Sequence, residues 1–219
     1  MNVHEDVRSG NIYLYKLVCD NGGAPCVHRG VLSLAICKPG IRKVAEEGDW
    51  VIGFGGKSVP ELQGRLIYVA RITSVEADGG YYKDPLYRGR PDRVYRFTDP
   101  GYEHIASSRF HDAGDLTHDL GSPPKYQRAR VLLSNTFAYF GGNKEPSIDD
   151  VKDIYEALPR NFTKNHMGQV RERLERCVVS VFEQFGLGKH GKPTQGDHSL
   201  KCHGSEPGDD VVTIPRCSR

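Results

Sequence analysis

Four short apolar runs, separated by segments rich in turn-forming residues, set the main constraint on the fold of this chain. The runs are rich in Val, Ile, Leu, Tyr and Phe, which favour the pleated backbone of a β-strand. The Gly and Pro residues between them mark turns. A further apolar run, 31–37, fits either a strand or the start of a buried helix. We therefore predict strands at 11–19, 49–55, 65–75 and 131–142.

The composition limits the class of protein. The chain has 219 residues, of which 37% are hydrophobic, and this is enough to bury one core. The formal net charge of +2 predicts no uniformly basic surface, so any nucleic-acid contact must use local clusters of Lys and Arg. The sequence has no membrane-spanning run and no signal peptide. Its six cysteines are widely spaced, which favours a reduced, cytoplasmic protein.

Two helices are predicted after the last strand. A sequence similar to a capping box begins at Ser147 and opens a helix that Pro159 ends. Apolar residues recur at steps of three and four over 164–185, which predicts an amphipathic helix. Residues 189–219 show little periodicity, which favours a flexible tail. We therefore predict an α+β protein with a β-rich domain at 10–142, a helical extension at 147–186 and a flexible tail at 189–219.

The β-rich part carries a family resemblance in four blocks: YLYKLVCDNGGAPC, LSLAICKPGIRKVAEEGDWVIGFGGKS, RLIYVARIT and YYKDPLYRGRPDRVY. Over about residues 10–142 the chain resembles the second family of nucleotide modification associated domains. This resemblance implies a place in DNA modification or restriction systems, including phage defence. The order of elements is also similar to that of PUA-like barrels such as the EVE, ASCH and YTH domains, several of which hold a flipped base. This second likeness implies a PUA-like, partly closed β-barrel with short helices.

Three places in the sequence offer contacts to a nucleobase. The glycines of the turn at 20–26 let backbone amides approach a base, and Asn21 matches adenine with two hydrogen bonds. Tyr81 and Tyr82 supply rings on which a base stacks, and Asn135 is a polar group within an apolar strand. The structural alternatives are a turn without a ligand, tyrosines buried in a core, and an asparagine that faces solvent.

Basic residues are candidates for contacts with the nucleic-acid backbone. The segment 79–97 interleaves aromatic residues with Arg88, Arg90 and Arg93, a mixture that nucleic-acid binders use. Lys57 lies in the sequence GFGGKS, which lacks the spacing of a phosphate-binding loop but places a cation at a strand end. We expect these four cations to contact phosphates. The alternative is an irregular segment whose arginines only face solvent.

Histidines and carboxylates cluster within the polar segment 98–128, at His111, Asp112, Asp115, His118 and Asp119. If the chain is an enzyme, the acid–base candidates are His111, Asp112 and Asn21, because a histidine and a carboxylate exchange protons near neutral pH. Otherwise the cluster is a solvated loop.

Known catalytic signatures are missing from the sequence. There is no dinucleotide fingerprint, S-adenosylmethionine loop, nucleophile elbow or zinc deaminase signature. We expect no cofactor and no metal. The last histidines and cysteines of the chain are spaced unlike any known zinc motif; they are His190, His198, Cys202, His203 and Cys217.

Taken together, these patterns predict a protein that recognises a nucleobase, in particular a modified base of DNA that is flipped into a pocket. The first alternative is an enzyme that modifies a nucleobase or nucleotide. The second alternative is an interaction subunit whose helices at 147–185 dock a partner. The predicted partners are DNA or a modified nucleotide, together with modification or restriction proteins, and no membrane.

Overall fold

A computed structural model describes residues 3–58, 60–143 and 146–194, which form an α+β fold. The strands are β1 (Ile12–Leu17), β2 (Cys26–His28), β3 (Val31–Leu34), β4 (Trp50–Gly55), β5 (Leu66–Arg71), β6 (Ser74–Glu76), β7 (Tyr95–Thr98), β8 (Gly101–His104), β9 (Val131–Ser134), β10 (Thr136–Tyr139), β11 (Phe162–Thr163) and β12 (Gly188–Lys189). The α-helices are α1 (Val3–Ser9), α2 (Pro39–Val44), α3 (Gly80–Lys83), α4 (Leu116–Leu120), α5 (Lys152–Ala157) and α6 (Gly168–Phe185). Short 3-10 helices cover Pro60–Leu62, Pro85–Tyr87, Ala113–Asp115 and Asp149–Val151. None of the helices in the described ranges is long and apolar enough to cross a membrane.

The strands form two main sheets and one separate hairpin. The large sheet has the order β11-β1-β4-β5-β10-β12, the small sheet has the order β2-β3-β9-β6, and β7 pairs only with β8. In the large sheet, β1 and β4 are parallel, whereas β5 is antiparallel to both β4 and β10. Within the described residues neither sheet closes into a barrel.

Two predicted strands bend and pass from one sheet to the other. The run 65–75 forms β5 in the large sheet and then β6 in the small sheet. The run 131–142 forms β9 in the small sheet and then β10 in the large sheet, with the exposed Asn135 between them. Because β5 pairs with β10 and β6 pairs with β9, the two sheets are connected by a pair of bent strands. The prediction of two continuous strands is therefore corrected, because bending lets both sheets cover one core.

The large sheet is buried on both faces, and the alternation along β1 shows how. Ile12 and Leu14 pack with the helices α1, α5 and α6 in what we call the helix-side core. Tyr13 and Tyr15 point the other way, into the inter-sheet core between the large and the small sheet. Period-two alternation therefore separates the side chains of one strand into two cores.

The segment between β6 and β9 covers the outer side of the small sheet. It contains α3, the β7–β8 hairpin and α4. Its buried aromatic residues Tyr81, Tyr82 and Tyr95 pack with Val131 and Leu133 of β9 in the loop-side core. This packing brings the polar segment 98–128 next to the end of β3.

The last described residues join the large sheet. Strand β12 pairs in parallel with β10, and the amide and hydroxyl of Thr194 donate hydrogen bonds to the Asp20 carboxylate. Residues 189–194 of the predicted tail are therefore docked on the β-rich part. The rest of that tail, 195–219, lies outside the described residues, as do His198, Cys202, His203 and Cys217.

Candidate active site

A strained turn between β3 and α2 carries a cysteine. Cys37 and Lys38 have φ angles of 57° and 44°, in the left-handed region, directly before Pro39 begins α2. Such a conformation costs a residue other than glycine on the order of 1–3 kcal/mol and persists only where the surrounding structure fixes it. A strained turn between a strand and a helix is a known way to present a nucleophile. This makes Cys37 a candidate nucleophile.

Hydrogen bonds from both sides fix the backbone of Cys37. Its amide donates to Oδ1 of Asp119 at 3.0 Å, and its carbonyl accepts from Nε of Arg42 at 2.8 Å. The buried Arg42 guanidinium also donates to the carbonyls of Asp119, Arg128 and Arg130, each at 2.8 Å. One side chain of α2 therefore ties the cysteine turn to the segment that supplies the other polar groups of the site.

The Cys37 thiol is the first member of a thiol–imidazole–carboxylate chain. Sγ of Cys37 lies 3.1 Å from Nε2 of His111, and Nδ1 of His111 lies 2.6 Å from Oδ2 of Asp119. The His111 side chain is 8% exposed and the Asp119 side chain is fully buried, whereas Cys37 is half-buried. We call Cys37, His111 and Asp119 the thiol site.

Asp119 is held in one orientation by several donors. Besides His111 and the amide of Cys37, the hydroxyl of Tyr95 donates to its Oδ2 at 2.7 Å. The Arg42 guanidinium lies 4.0 Å from Oδ1. A buried carboxylate that is satisfied in this way holds the His111 ring in a fixed position, as the acid of a catalytic triad does.

Electrostatics favour the charged forms of His111 and Asp119. Burial lowers the pKa of His111, but hydrogen bonds and charge from Asp119 and Cys37 outweigh burial and raise it to about 11. Burial raises the pKa of Asp119, but the hydrogen bond and charge of His111 outweigh it and hold that pKa below its ordinary value. A protonated imidazole next to a cysteine favours the thiolate. A protonated His111 therefore favours the thiolate form of Cys37.

The predicted catalytic candidates have different places in this structure. His111 belongs to the thiol site. The Asp112 carboxylate accepts from the amide of Gly114 and caps a 3-10 helix in a reciprocal capping box with Asp115. The catalytic role of Asp112 stays a prediction, and Asp119 is the carboxylate that is hydrogen-bonded to the histidine.

Asn21 lies in a turn that packs against Phe110, the residue before His111. Its Oδ1 accepts from the amide of Gly23 at 3.0 Å. Gly23 in turn lies against the ring of Phe110, the neighbour of His111. The role of Asn21 as a base contact stays a prediction.

The two tyrosines predicted to form a base pocket have other roles. Tyr81 and Tyr82 are fully buried in the loop-side core. The Tyr81 hydroxyl donates to Oδ1 of the buried Asp92 at 2.7 Å, and the Tyr82 hydroxyl donates to the carbonyl of Ala35 at 2.8 Å. A base cannot stack on either ring unless this core opens. Asn135 is exposed at the bend between β9 and β10, and its base contact stays a prediction.

The four predicted backbone-binding cations do not form one group. Arg90 is buried, and its guanidinium donates to the carbonyls of Cys26, His28 and Val31 and to the hydroxyls of Ser33 and Tyr81. It therefore fixes the β2–β3 hairpin from inside and is not placed to bind a phosphate. Arg93 is half-buried and donates to the carbonyl of Tyr82. Lys57 and Arg88 are exposed, and their roles stay predictions.

Sequence reasoning missed Cys37 and Arg42 altogether. The predicted acid–imidazole cluster includes Asp119, but the acid–base candidates taken from it are His111 and Asp112. The available signal was the cysteine after an apolar run, directly before Pro39 and Gly40. Within the parts of the chain that the structure describes, no three His, Cys, Asp or Glu side chains form a group suited to a metal ion.

The α+β fold and the thiol site define a candidate thiol enzyme. A family model described as nucleotide modification associated domain 2 matches residues 9–199, so the chain belongs to this family. The resemblance seen in the sequence is thereby confirmed, and the match extends through the helices α5 and α6. Neither the curated proteins nor the solved structures contain a match to this chain.

Proposed function

We propose that this protein is an enzyme that modifies a nucleobase or nucleotide by nucleophilic attack of Cys37. The observation that carries this proposal is the continuous chain of contacts from Cys37 through His111 to the buried Asp119. Membership of a nucleotide modification associated family supports a nucleobase or nucleotide as the substrate. The strained turn at Cys37 supports the same function, because strain of this kind is concentrated at functional sites.

Each member of the thiol site has one role in the proposed reaction. The Cys37 thiolate donates its electron pair to an electrophilic carbon of the substrate and forms a covalent bond. His111, protonated at the start, gives its proton to the substrate atom that receives the displaced electron pair. Asp119 keeps the His111 ring in place and compensates its positive charge. This division of roles is the general logic of an activated nucleophile, its base and an orienting group.

Nucleoside mass spectrometry tests the proposal. The full-length protein and its Cys37→Ser variant are each expressed in a host, and both DNA and the free nucleotide pool are digested to nucleosides. We expect a nucleoside of altered mass with the natural protein and a loss of at least about a hundredfold with Cys37→Ser, because oxygen at this position is a far weaker nucleophile at neutral pH.

Cys177 provides the matched control. It is half-buried like Cys37, but it lies on α6, and burial raises the pKa of its thiol to about 11. Cys177→Ser should give the same yield of altered nucleoside as the natural protein. An equal yield from Cys37→Ser would exclude Cys37 as the nucleophile.

Recognition of a modified base in DNA is the second candidate. The bent strands β5–β6 and β9–β10 favour it, because two sheets joined in this way resemble one side of the PUA-like, partly closed barrel predicted from the sequence. In this candidate Asn21 contacts the flipped base, and the exposed Lys57 and Arg88 contact backbone phosphates. The PUA-like architecture itself stays a prediction.

The two candidates differ in their dependence on Cys37. A base reader with the Cys37→Ser substitution keeps its preference for modified over plain duplex DNA and changes no nucleoside. Its affinity also decreases with salt, in proportion to the number of phosphates that it contacts. An enzyme with this substitution loses the altered nucleoside. Binding and mass spectrometry on the same two proteins therefore separate the candidates.

A further inference from the structure

The last described residues form a strap along the edge of the large sheet. We call residues 188–194 the strap; it begins with β12, which pairs with β10. Beyond this pairing, the amide of Gly142 donates to the carbonyl of Lys192 at 2.9 Å. A Cβ atom at Gly191 would lie 1.7 Å from the carbonyl oxygen of Phe140. Only glycine at this position therefore lets the strap approach the end of β10 so closely.

The end of the strap is fastened to a buried carboxylate. Asp20 is 1% exposed, and its Oδ2 accepts from the amide and the hydroxyl of Thr194 at 3.1 and 3.3 Å. Its Oδ1 accepts from the hydroxyl of Tyr139 at 2.7 Å. A buried carboxylate needs such donors, because burial without hydrogen bonds is costly. Asp20 and Thr194 therefore fix each other's positions.

The turn that follows this carboxylate lies between the strap and the thiol site. Its two adjacent glycines have different neighbours. A Cβ atom at Gly22 would lie 3.0 Å from Cγ of Pro193 in the strap, whereas a Cβ atom at Gly23 would lie 3.0 Å from Cδ1 of Phe110. Phe110 directly precedes His111 in the chain. Every step from the strap to His111 is therefore a close contact or a run of the chain.

The backbone of His111 needs support from its neighbours. Its φ angle of 50° lies in the left-handed region, which persists in a residue other than glycine only where the surrounding structure fixes it. Phe110 supplies part of this support. It is 4% exposed, its ring lies against Gly23, and its carbonyl accepts from the hydroxyl of Ser108 at 3.1 Å. A change in the position of Gly23 therefore affects the residue on which the His111 backbone depends.

We propose that the strap controls the reactivity of Cys37. While the strap is fastened to Asp20, the turn stays against Phe110 and His111 stays within hydrogen-bond distance of the thiol. Release of the strap loosens the turn and Phe110, so the contact between His111 and Cys37 weakens and the thiolate is favoured less. Asp20 and Thr194 are thus positioning residues. The proposal rests on the function proposed above for Cys37 and makes that function depend on the C-terminal part of the chain.

Two variants of the full-length protein test the proposal. Gly191→Ala forces the strap away from β10, and Thr194→Val removes one of its two donors to Asp20. Hydrogen exchange of the peptide that contains 188–194 reports docking of the strap. The rate at which iodoacetamide modifies Cys37, measured by peptide mass spectrometry, reports the thiolate.

We expect Gly191→Ala to speed the exchange of the strap and to slow the modification of Cys37 at pH 6. The slowing should be about threefold, as is typical of coupling between packed segments. At pH 9 the rates should agree within about twofold, because an ordinary thiol is then mostly ionised. Thr194→Val should act in the same direction with a smaller effect, since the amide of Thr194 still donates to Asp20.

Lys192→Ala is the matched control. The Lys192 side chain is exposed, and its carbonyl, which accepts from Gly142, is kept in the variant. This variant should change neither the exchange nor the rates. Fast exchange of the strap in Gly191→Ala with an unchanged ratio of the rates at pH 6 and pH 9 would overturn the proposal, and so would a strap that stays docked in that variant. A natural protein that reacts no faster at pH 6 than His111→Gln would instead contradict the function proposed for Cys37, so the two failures are distinguishable.

Discussion

Sγ of Cys37 and Nε2 of His111 are 3.1 Å apart, although the two residues are 74 positions apart in the chain. Their contact depends on the packing of the segment 79–130 against the small sheet, which brings a loop histidine to the end of β3. Both residues have φ angles in the left-handed region, 57° and 50°. The fold thus holds two residues in unfavourable backbone conformations so that their side chains meet, and this is the main reason to assign a chemical function to the contact.

The reactivity of Cys37 towards iodoacetamide should depend little on pH between about 6 and 9. His111 is protonated in this range because its pKa is about 11, and it stabilises the thiolate. In His111→Gln the thiol should titrate near its ordinary pKa of about 8.5. Only about 0.3% of such a thiol is ionised at pH 6, but a thiolate of lower pKa is also less nucleophilic. We therefore expect the natural protein to react about tenfold faster than His111→Gln at pH 6.

Asp112→Ala is the control for this pH profile. Its carboxylate caps a 3-10 helix, whereas the carboxylate bonded to His111 is that of Asp119, so the loss of the Asp112 carboxylate should leave the profile unchanged. The cost should be only about 1 kcal/mol of stability, the usual value for a helix cap. A natural protein whose Cys37 titrates at 8.5 or above would rule out the thiolate–imidazolium pair.

Asp119→Asn should destabilise the protein in a pH-dependent manner. The folded-state pKa of Asp119 is lowered, so its contribution is present above the ordinary carboxyl pKa and is lost as the pH falls through the folded value. The pKa of His111 is raised, so its contribution is present at neutral pH and is lost as the pH rises through about 11. We expect the substitution to lower the free energy of unfolding by about 3 kcal/mol at pH 7, and by less below pH 4. Denaturant unfolding at several pH values measures it, and a difference independent of pH would contradict this account.

Arg42→Lys should also destabilise the protein, although it keeps the positive charge. The guanidinium donates to four backbone carbonyls at 2.8 Å, and an ammonium group cannot reach all of them. We expect the free energy of unfolding to fall by about 2–4 kcal/mol, as for other buried hydrogen-bonded charges. We also expect Cys37 to react more slowly with iodoacetamide at pH 6. The exposed Arg8→Lys is the control and should change stability by less than about 0.5 kcal/mol. Equal unfolding midpoints for the two variants would show that Arg42 is not needed in its buried position.

Arg90→Ala and Arg88→Ala should behave differently although the residues are two positions apart. Arg90 makes five hydrogen bonds inside the loop-side core and lies 3.4 Å from the buried Asp92 carboxylate, so its removal takes five donated hydrogen bonds and an opposite charge from buried groups. We expect the free energy of unfolding to fall by about 3–5 kcal/mol in Arg90→Ala and by less than about 0.5 kcal/mol in the exposed Arg88→Ala. Thermal unfolding compares them. If Arg88→Ala alone weakens DNA binding while its stability is unchanged, the predicted phosphate contact of Arg88 gains support.

The longest strands, β1, β4 and β5, were predictable because each is encoded locally, whereas the short strands β2, β8, β11 and β12 lie outside the predicted runs. The runs at 11–19 and 49–55 contain β1 and β4, and the ambiguous run at 31–37 contains β3. The bends within 65–75 and 131–142 were not predictable. The alternation of side chains along a strand shows which residues face each side, but it does not show which sheet each half of the strand joins. The helix α1 was also missed, because its seven residues bury only Val7 and carry little apolar signal.

By itself the sequence determined the strand-rich α+β class, the family and the polar segment that contains His111 and Asp119. The tertiary structure decided which residues of that segment act together and which cysteine they meet. The left-handed turn at Cys37 has no glycine to mark it, and the burial of Tyr81, Tyr82 and Arg90 depends on packing against the small sheet. Local propensity acts between neighbouring residues, whereas an active site is formed by contacts between distant segments, and these exist only after the chain has packed.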